Sequence, residues 1–368
     1  MPTRRLVVLF DGTWNKVKTH TNVERFWRLV AKADNAGREQ ICKYFAGVGV
    51  KPGLEHLLGG AFGLGLSGNV EDGFQWLSKN WREGDEIWLF GFSRGAYTAR
   101  SVGGLIRKCG LLKPDDKGNV SRADTDAAYK LYRNDLHPDD PEMQAFRAAH
   151  SREVQIRFIG VWDTVGALGV PGVGSWFPFA SSHYEFHDTD LSKIVQYAYQ
   201  ALALNEHRAD FKPTKWTRPA ETLTPGQAAT DWKPEQIEVE QRWFIGAHSD
   251  VGGGEKTDGA AHSPDALSEV TLAWMQAKAV GAGLAFSEDF VPAAGAELDV
   301  PNDSYGEFMS GIYRIFKKPF ERILGGGINE TIDPSVWLKW YGQSDYRPAS
   351  LEQAVDNRLI ELGSGKVG

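Results

Sequence analysis

One serine in this sequence, Ser93, lies between two glycines in the segment GFSRG. The pattern G-x-S-x-G forms a sharp turn that holds a nucleophilic serine clear of the sheet when it follows a strand and opens a helix. Here the segment follows DEIWLF, which is typical of a buried strand, and runs into YTARSVGGLIRKCGLL, which is typical of a helix. We therefore interpret Ser93 as the nucleophile of an acyl-transfer reaction.

A nucleophilic serine needs a base and an acid, and two residues after later strand patterns can supply them. Asp163 directly follows the run RFIGVW, and His248 directly follows the run RWFIGA. The carboxyl ends of parallel strands meet at one edge of a sheet, and the chain order Ser, Asp, His is that of α/β hydrolases. The sequence therefore predicts that Ser93 attacks a carbonyl carbon, His248 accepts its proton, and Asp163 fixes the imidazole tautomer.

Other roles remain open for these residues. Asp163 can instead cap the turn after its strand. His207, in ALNEHRADF, is the best rival to His248 as the base, although we predict that it lies near the end of a helix starting around Asp190, where a structural role is more common. Asp250 is expected to shape the glycine turn that follows His248.

Backbone N–H groups near Ser93 are expected to bind the developing oxyanion. The N–H of Arg94 follows the nucleophile directly, at the start of a helix. The second donor of this fold comes from the loop after an earlier strand, here DGTWN, which begins at Asp11; Gly12 and Thr13 are the candidates. The same loop is also a glycine turn in which Thr13 or Asn15 caps a helix, and the two uses are compatible.

The elements that must position these residues alternate along the chain. Strand patterns are RLVVLF (5–10), EIWLFGF (86–92), VQIRFIGVW (154–162) and IEVEQRWFIGA (237–247), with KYFAGV (43–48) as a weaker fifth. Helix patterns are NVEDGFQWLSKNW, capped by Asn69, and SPDALSEVTLAWMQAKAVG, capped by Ser263. We interpret GGAFGLGLSG as a mobile connection. This alternation predicts an α/β protein with a mostly parallel sheet and helices on both faces. The G-x-S-x-G turn between a strand and a helix makes the α/β-hydrolase fold the expected form.

Three regions break the alternation, and we interpret them as insertions into one domain that spans residues 1–368, at about 166–190, 209–235 and 296–345. In the first insertion, Trp176, Phe177 and Phe179 are candidates for a substrate pocket or lid, with burial in the core as the alternative. In the last insertion, YRIFKKPF places Lys317 and Lys318 among aromatic residues, as interfacial segments do, so peripheral contact with a membrane is left open.

Composition narrows the class of protein. A net charge of −7 argues against nucleic acid as the main partner. Two cysteines, Cys42 and Cys109, argue against a disulfide framework. The short apolar run after the N-terminal arginines does not resemble a signal peptide, and no segment could span a bilayer. We therefore expect a soluble cytoplasmic protein, with signal-independent export left open, and the oligomeric state is not predicted.

Five segments also resemble a known family. FDGTWN, GDEIWLFGFSRGAYTAR, FIGVWDTVGA, FIGAHSDVGGG and DPSVWLKWYGQSDYRPASL are similar to the α/β-hydrolase family of the type VI secretion phospholipase effectors, which also has stand-alone members. The resemblance implies hydrolysis of carboxylic esters, with phospholipids as the substrate of the toxin members. It also implies a triad on Ser93, Asp163 and His248.

Together these features predict a serine hydrolase of small-molecule or lipid esters that works through an acyl-enzyme. No P-loop, dinucleotide fingerprint or Cys/His zinc cluster is present, so no cofactor and no metal are expected. Two alternatives stay open. One is a metal-dependent phosphoesterase with ligands from Asp11, Asp163, His248 and Asp250. The other is an inactive hydrolase fold that serves as a binding module.

Overall fold

The computed structural model describes residues 3–12, 20–47, 59–166, 190–218, 223, 227–254, 266–307, 314 and 317–367, with the backbone alone for 59–66. Trp176, Phe177 and Phe179 lie outside the described residues, as do Thr13 and the predicted cap Ser263.

A parallel sheet forms the centre of the described chain. Its strands are β1 (Arg5–Phe10), β2 (Gln40–Phe45), β3 (Glu86–Phe92), β6 (Ile156–Trp162), β7 (Val195–Ala203), β8 (Glu238–Phe244) and β9 (Glu330–Ile332). They follow the order β2-β1-β3-β6-β7-β8-β9, and each neighbouring pair is parallel. The short strands β4 (Leu111–Leu112) and β5 (Ser151–Arg152) pair separately and antiparallel. All seven carboxyl ends of the main sheet therefore lie at one edge.

Helices cover both faces of this sheet. They are α1 (Asn22–Leu29), α2 (Gly59–Asn80), α3 (Arg94–Cys109), α4 (Arg122–Tyr132), α5 (Pro141–His150), α6 (His248–Gly252), α7 (Ala266–Ala282), α8 (Ser304–Glu307), α9 (Pro334–Gly342) and α10 (Ala349–Asp356). Short 3-10 turns lie at Ala209–Phe211 and Ala296–Leu298. Among the residues that the structure describes, no helix combines the length and hydropathy that a bilayer-spanning segment requires.

The apolar side chains divide between the two faces as the two-residue period of a strand requires. Leu6 and Val8 of β1 join one core cluster with residues of α2 and α3. Val7 and Leu9 join a second cluster, to which α1 and α7 contribute. A third cluster packs α9 and α10 beside β8 and β9. The predicted α/β architecture, with a parallel sheet between helices, is therefore confirmed.

Three local predictions are wrong. The segment after Asp190 forms β7 instead of a helix, because a central position between β6 and β8 favours strand pairing over the helix propensity of its alanines. Asn69 lies inside α2 and caps nothing, since the helix starts at Gly59. GGAFGLGLSG is accordingly helical, although its glycines have low helix propensity.

Candidate active site

Ser93 occupies a strained turn between β3 and α3. Its backbone has φ 58° and ψ −123°, a conformation that residues other than glycine rarely adopt. A Cβ on Gly91 would overlap the backbone of Gly95, and a Cβ on Gly95 would lie 2.6 Å from the carbonyl oxygen of Asp11. The two glycines thus permit the close approach of strand and helix that the turn requires. Backbone strain like that of Ser93 is most common at functional sites.

His248 links Ser93 to Asp163. Its Nε2 lies 2.8 Å from Ser93 Oγ, and its Nδ1 lies 2.6 Å from Asp163 Oδ2. The three residues come from the carboxyl ends of β3, β6 and β8, and all three are buried. The three side chains that the sequence singled out therefore meet within hydrogen-bond distance, in an order that allows a proton to pass from Ser93 to His248.

Asp163 is fixed by its backbone and by its neighbours. It has a positive φ of 39°, and its N–H donates to Ala201 O at 2.8 Å. Its Oδ1 accepts the N–H of Ala203 at 3.0 Å. Burial alone would raise the pKa of Asp163, but the charge of Arg322 and hydrogen bonds from His248 and Arg322 outweigh burial and hold the pKa well below its ordinary value. Asp163 is therefore an ionised carboxylate in a fixed orientation.

Arg322 is a site residue that the sequence did not predict. Its Nη1 and Nη2 donate to the two carboxylate oxygens of Asp163, at 2.6 and 2.9 Å, and its side chain is completely buried. It lies in PFERILGGG, which overlaps the end of the segment YRIFKKPF and falls within the predicted insertion at about 296–345. A charged residue flanked by apolar ones is the sequence feature that could have indicated a buried charge, and a buried charge requires a partner of opposite sign.

A second buried ion pair lies next to His248. Glu206 Oε2 accepts the backbone N–H of His248 at 3.2 Å and the hydroxyl of Ser304 at 2.9 Å. Arg208 donates to both carboxylate oxygens of Glu206, at 2.8 and 2.7 Å. Burial opposes ionisation of Glu206, yet the hydrogen bonds and charge of Arg208 lower its pKa to about 2. The candidate site therefore contains two carboxylates, each matched by a guanidinium.

The imidazole of His248 is shielded from water by two rings. Phe92 lies 4.7 Å from it between ring centroids, and Phe211 lies 5.0 Å away in an edge-on arrangement. Burial lowers the pKa of His248 below its ordinary value, because the loss of solvation outweighs the hydrogen bond to Asp163, and the charge of Arg208 acts in the same direction. His248 is therefore neutral at neutral pH, as a proton acceptor must be.

Of the three predicted oxyanion donors, the structure describes Arg94 and Gly12. Arg94 begins α3 directly after Ser93, and burial lowers the pKa of its guanidinium to about 10. The N–H of Gly12 donates to Asp11 Oδ1 at 2.7 Å. The other oxygen of Asp11 accepts the hydroxyls of Thr21 and Tyr44 at 2.7 and 2.5 Å. Asp11 therefore has a supporting role in the loop that follows β1.

The remaining candidates lie away from the reacting atoms. His207 follows β7 and pairs with Glu321 at 3.3 Å, at a partly exposed position. Asp250 accepts the N–H of Ala247 at 2.8 Å and that of Asn302 at 2.9 Å, so it shapes the turn around His248. Lys317 is partly exposed and lies 3.7 Å from Asp210.

The four residues of the metal alternative do not form a shared ligand set. Asp163 is paired with Arg322, Asp250 holds backbone N–H groups, and Asp11 holds two hydroxyls. Within the described residues, no group of three or more His, Cys, Asp or Glu side chains could hold a metal ion. The donor set around Ser93 favours proton transfer over metal coordination.

Comparison with known proteins gives relatives that are much longer than the matched region. The chain is 28% identical over 237 residues to the uncharacterized protein YEL023C of Saccharomyces cerevisiae, covering 58% of this chain and 33% of that protein. An uncharacterized protein from Pseudomonas aeruginosa is similar in structure with 19% identity and a TM-score of 0.45, over 80% of this chain and 48% of its own. The chain thus spans about half or less of the length of these relatives.

Two further findings concern type VI secretion effectors. The structure of a Tle1 effector bound to the VgrG spike of the type VI secretion system is similar with 18% identity and a TM-score of 0.40, over 71% of this chain and 53% of that one. The family described as the type VI secretion phospholipase effector Tle1-like catalytic domain matches residues 4–278. This match includes Ser93, Asp163 and His248 and runs through most of the chain. The chain therefore belongs to the family of Tle1-like phospholipase effector catalytic domains.

Proposed function

We propose that this protein is a serine hydrolase that cleaves carboxylic esters of lipids, phospholipids included, through a covalent acyl-enzyme. The observation that carries the proposal is the continuous hydrogen-bonded chain from Ser93 Oγ through His248 to Asp163, at 2.8 and 2.6 Å. Membership in a family of phospholipase effector domains supports a lipid ester as the substrate class. The Tle1 effector of the similar structure is bound to the VgrG spike, and no such partner is proposed for this chain.

In the first half-reaction, Ser93 Oγ attacks the ester carbonyl carbon while His248 Nε2 accepts the hydroxyl proton. Asp163 Oδ2 accepts a hydrogen bond from the Nδ1–H of the imidazole, and the proton stays on Nδ1, which fixes the tautomer that leaves Nε2 free to act as a base. The tetrahedral intermediate collapses when His248 returns the proton to the departing alcohol. Ser93 then carries the acyl group as an ester.

In the second half-reaction, water replaces the alcohol. His248 takes a proton from water, whose oxygen attacks the acyl carbon, and the same proton returns to Ser93 as the fatty acid leaves. In both steps the negative charge on the carbonyl oxygen needs N–H donors. Arg94 N–H and the N–H of Gly12 or Thr13 are proposed for that role, and Gly12 N–H would then exchange its acceptor, Asp11 Oδ1, for the oxyanion. The close packing of Gly95 against the loop after β1 supports this placement.

The test is hydrolysis of defined esters by the wild-type chain and by Ser93→Ala. Substrates are a p-nitrophenyl ester series and phosphatidylcholine vesicles with different acyl chains at the two glycerol positions, with products identified by mass spectrometry. The proposal expects released fatty acid from the wild type, unchanged by chelator, and loss of turnover by several orders of magnitude in Ser93→Ala. Undiminished release by Ser93→Ala overturns it, and a chelator-sensitive phosphodiesterase activity favours the metal alternative.

A further inference from the structure

Arg322 makes contacts that the proposed reaction does not by itself require. Its Nη1 donates to Asp163 Oδ1 and to Ala203 O at 2.6 and 2.8 Å, and its Nη2 donates to Asp163 Oδ2 and to Phe211 O at 2.9 and 2.7 Å. Such a planar fork binds a carboxylate in one orientation. The same Oδ2 lies 2.6 Å from His248 Nδ1, so the guanidinium and the imidazole share one oxygen.

The backbone around Arg322 is anchored on both sides. Phe320 N donates to His207 O at 2.8 Å. Lys215 Nζ donates to Ile323 O at 3.1 Å, and it also contacts Gly325 O and Glu330. The segment 320–325 therefore crosses from the loop after β7 towards β9 and delivers one guanidinium to Asp163.

We propose that Arg322 is a positioning residue for this reaction, which orients Asp163 and, by compensating its charge, keeps His248 neutral and able to accept a proton at lower pH. The inference rests on the proposed function, because it assigns His248 as the base. Its physical basis is the charge balance of the site. Protonated His248 is a cation beside Asp163, whose negative charge stabilises it. The guanidinium of Arg322 offsets part of that negative charge and so weakens the stabilisation of the imidazolium.

The charged and polar groups around His248 come from several elements and nearly cancel. They are Asp163 and Ser93 at the two ring nitrogens, Glu206 and Arg208 from the loop after β7, Asp250 on the same helix, and Arg322 behind Asp163. At the ring itself, the carboxylates Asp163 and Glu206 are each paired with a guanidinium. Removal of the Arg322 charge therefore leaves Asp163 without a counter-charge and favours the imidazolium.

Two substitutions separate charge from geometry. Arg322→Gln keeps a hydrogen-bond donor and removes the charge, whereas Arg322→Lys keeps the charge and loses the planar fork. Lys215→Gln is the matched control, since it loosens the same segment without touching Asp163. Arg322→Met, which fills a similar volume, replaces the glutamine variant if that protein does not fold.

Two quantities are measured on each full-length variant. One is the pH dependence of kcat/KM on a neutral p-nitrophenyl ester. The other is the titration of the His248 imidazole by NMR, assigned by its loss in His248→Ala. For Arg322→Gln we expect both midpoints to rise by about one pH unit. For Arg322→Lys we expect a midpoint close to that of the wild type, with a plateau rate about tenfold lower. Lys215→Gln is expected to leave the midpoint unchanged.

An unchanged NMR midpoint in Arg322→Gln overturns the role of charge. A plateau rate for Arg322→Lys equal to that of the wild type overturns the role in orientation. An equal midpoint shift in Lys215→Gln makes the effect a general loosening of the segment and also contradicts the inference. Because the NMR titration needs no turnover, absent ester hydrolysis with the expected NMR shift refutes the proposed function alone.

Discussion

Arg322 donates a hydrogen bond to each carboxylate oxygen of Asp163, the residue that also holds His248. The pair is completely buried, so each charge depends on the other for compensation. Breaking such a pair costs much more than its net contribution, because the remaining charge stays in a low-dielectric interior. Substitution of Asp163 is therefore expected to affect both turnover and stability.

For Asp163→Asn we expect kcat to fall by about 10⁴, since the amide favours the wrong imidazole tautomer. We also expect the free energy of unfolding to fall by about 3–5 kcal/mol, because Arg322 loses its counter-charge. Ester turnover and urea denaturation measure the two effects.

The control is the double variant Asp163→Asn with Arg322→Met. It removes both charges and is expected to recover a large part of the lost stability without recovering activity. An Asp163→Asn protein as stable as the wild type would show that the two charges do not depend on each other.

The choice between the two histidines can be tested by substitution. His248→Ala is expected to lose ester turnover by several orders of magnitude, because Ser93 then has no base at 2.8 Å. His207→Ala is expected to keep most of the activity, since that side chain is partly exposed and pairs with Glu321. Steady-state kinetics on one p-nitrophenyl ester compare the two, and the opposite ranking would move the base to His207.

The acid limb of the activity profile is expected below pH 6.5. His248 must be neutral to accept a proton, and burial lowers its pKa from the ordinary value of 6.5, so the active form persists to lower pH. The dependence of kcat/KM on pH for a neutral ester gives the midpoint. A midpoint at or above 6.5 would mean that the hydrogen bond to Asp163 outweighs burial in the free enzyme.

Gly95→Ala is expected to reduce both stability and turnover. Its Cβ would lie 2.6 Å from Asp11 O and would overlap the carbonyl of Phe10, so α3 would have to move away from β1 and carry the turn at Ser93 with it. Gly281→Ala is the matched control, because a Cβ there meets open space and alanine favours the helix. Thermal melts measure the stability of both variants, and ester kinetics measure their turnover. Equal losses of stability and turnover in the two variants would contradict the packing argument.

The fold could be predicted where a strand is buried on both faces and reads as a continuous apolar run. β1, β3 and β6 are close to this kind, whereas β8, EVEQRWF, mixes charged and apolar residues. β7 was mistaken for a helix because alanine, glutamine and tyrosine fit either period, and only its neighbours select the strand. β9 has three residues, too few for any period to be recognised.

Some residues of the candidate site could be predicted from the sequence and others could not. Ser93, Asp163 and His248 were identified because each follows a strand pattern and stands in a recognisable segment. Arg322 was missed because its partner Asp163 lies 159 residues away and the loop that carries it has no periodicity. Glu206 was overlooked for the same reason, since its contact with the backbone of His248 depends on the tertiary fold.

The central claim is that Ser93 is an activated nucleophile, and covalent labelling tests it most directly. The wild-type chain and Ser93→Ala are incubated with a fluorophosphonate, intact masses are recorded, and the modified residue is located by peptide mapping. We predict a single adduct on the wild type, located on Ser93, unaffected by chelator and absent from Ser93→Ala. An unmodified wild-type chain, or an adduct that persists in Ser93→Ala, would contradict the account.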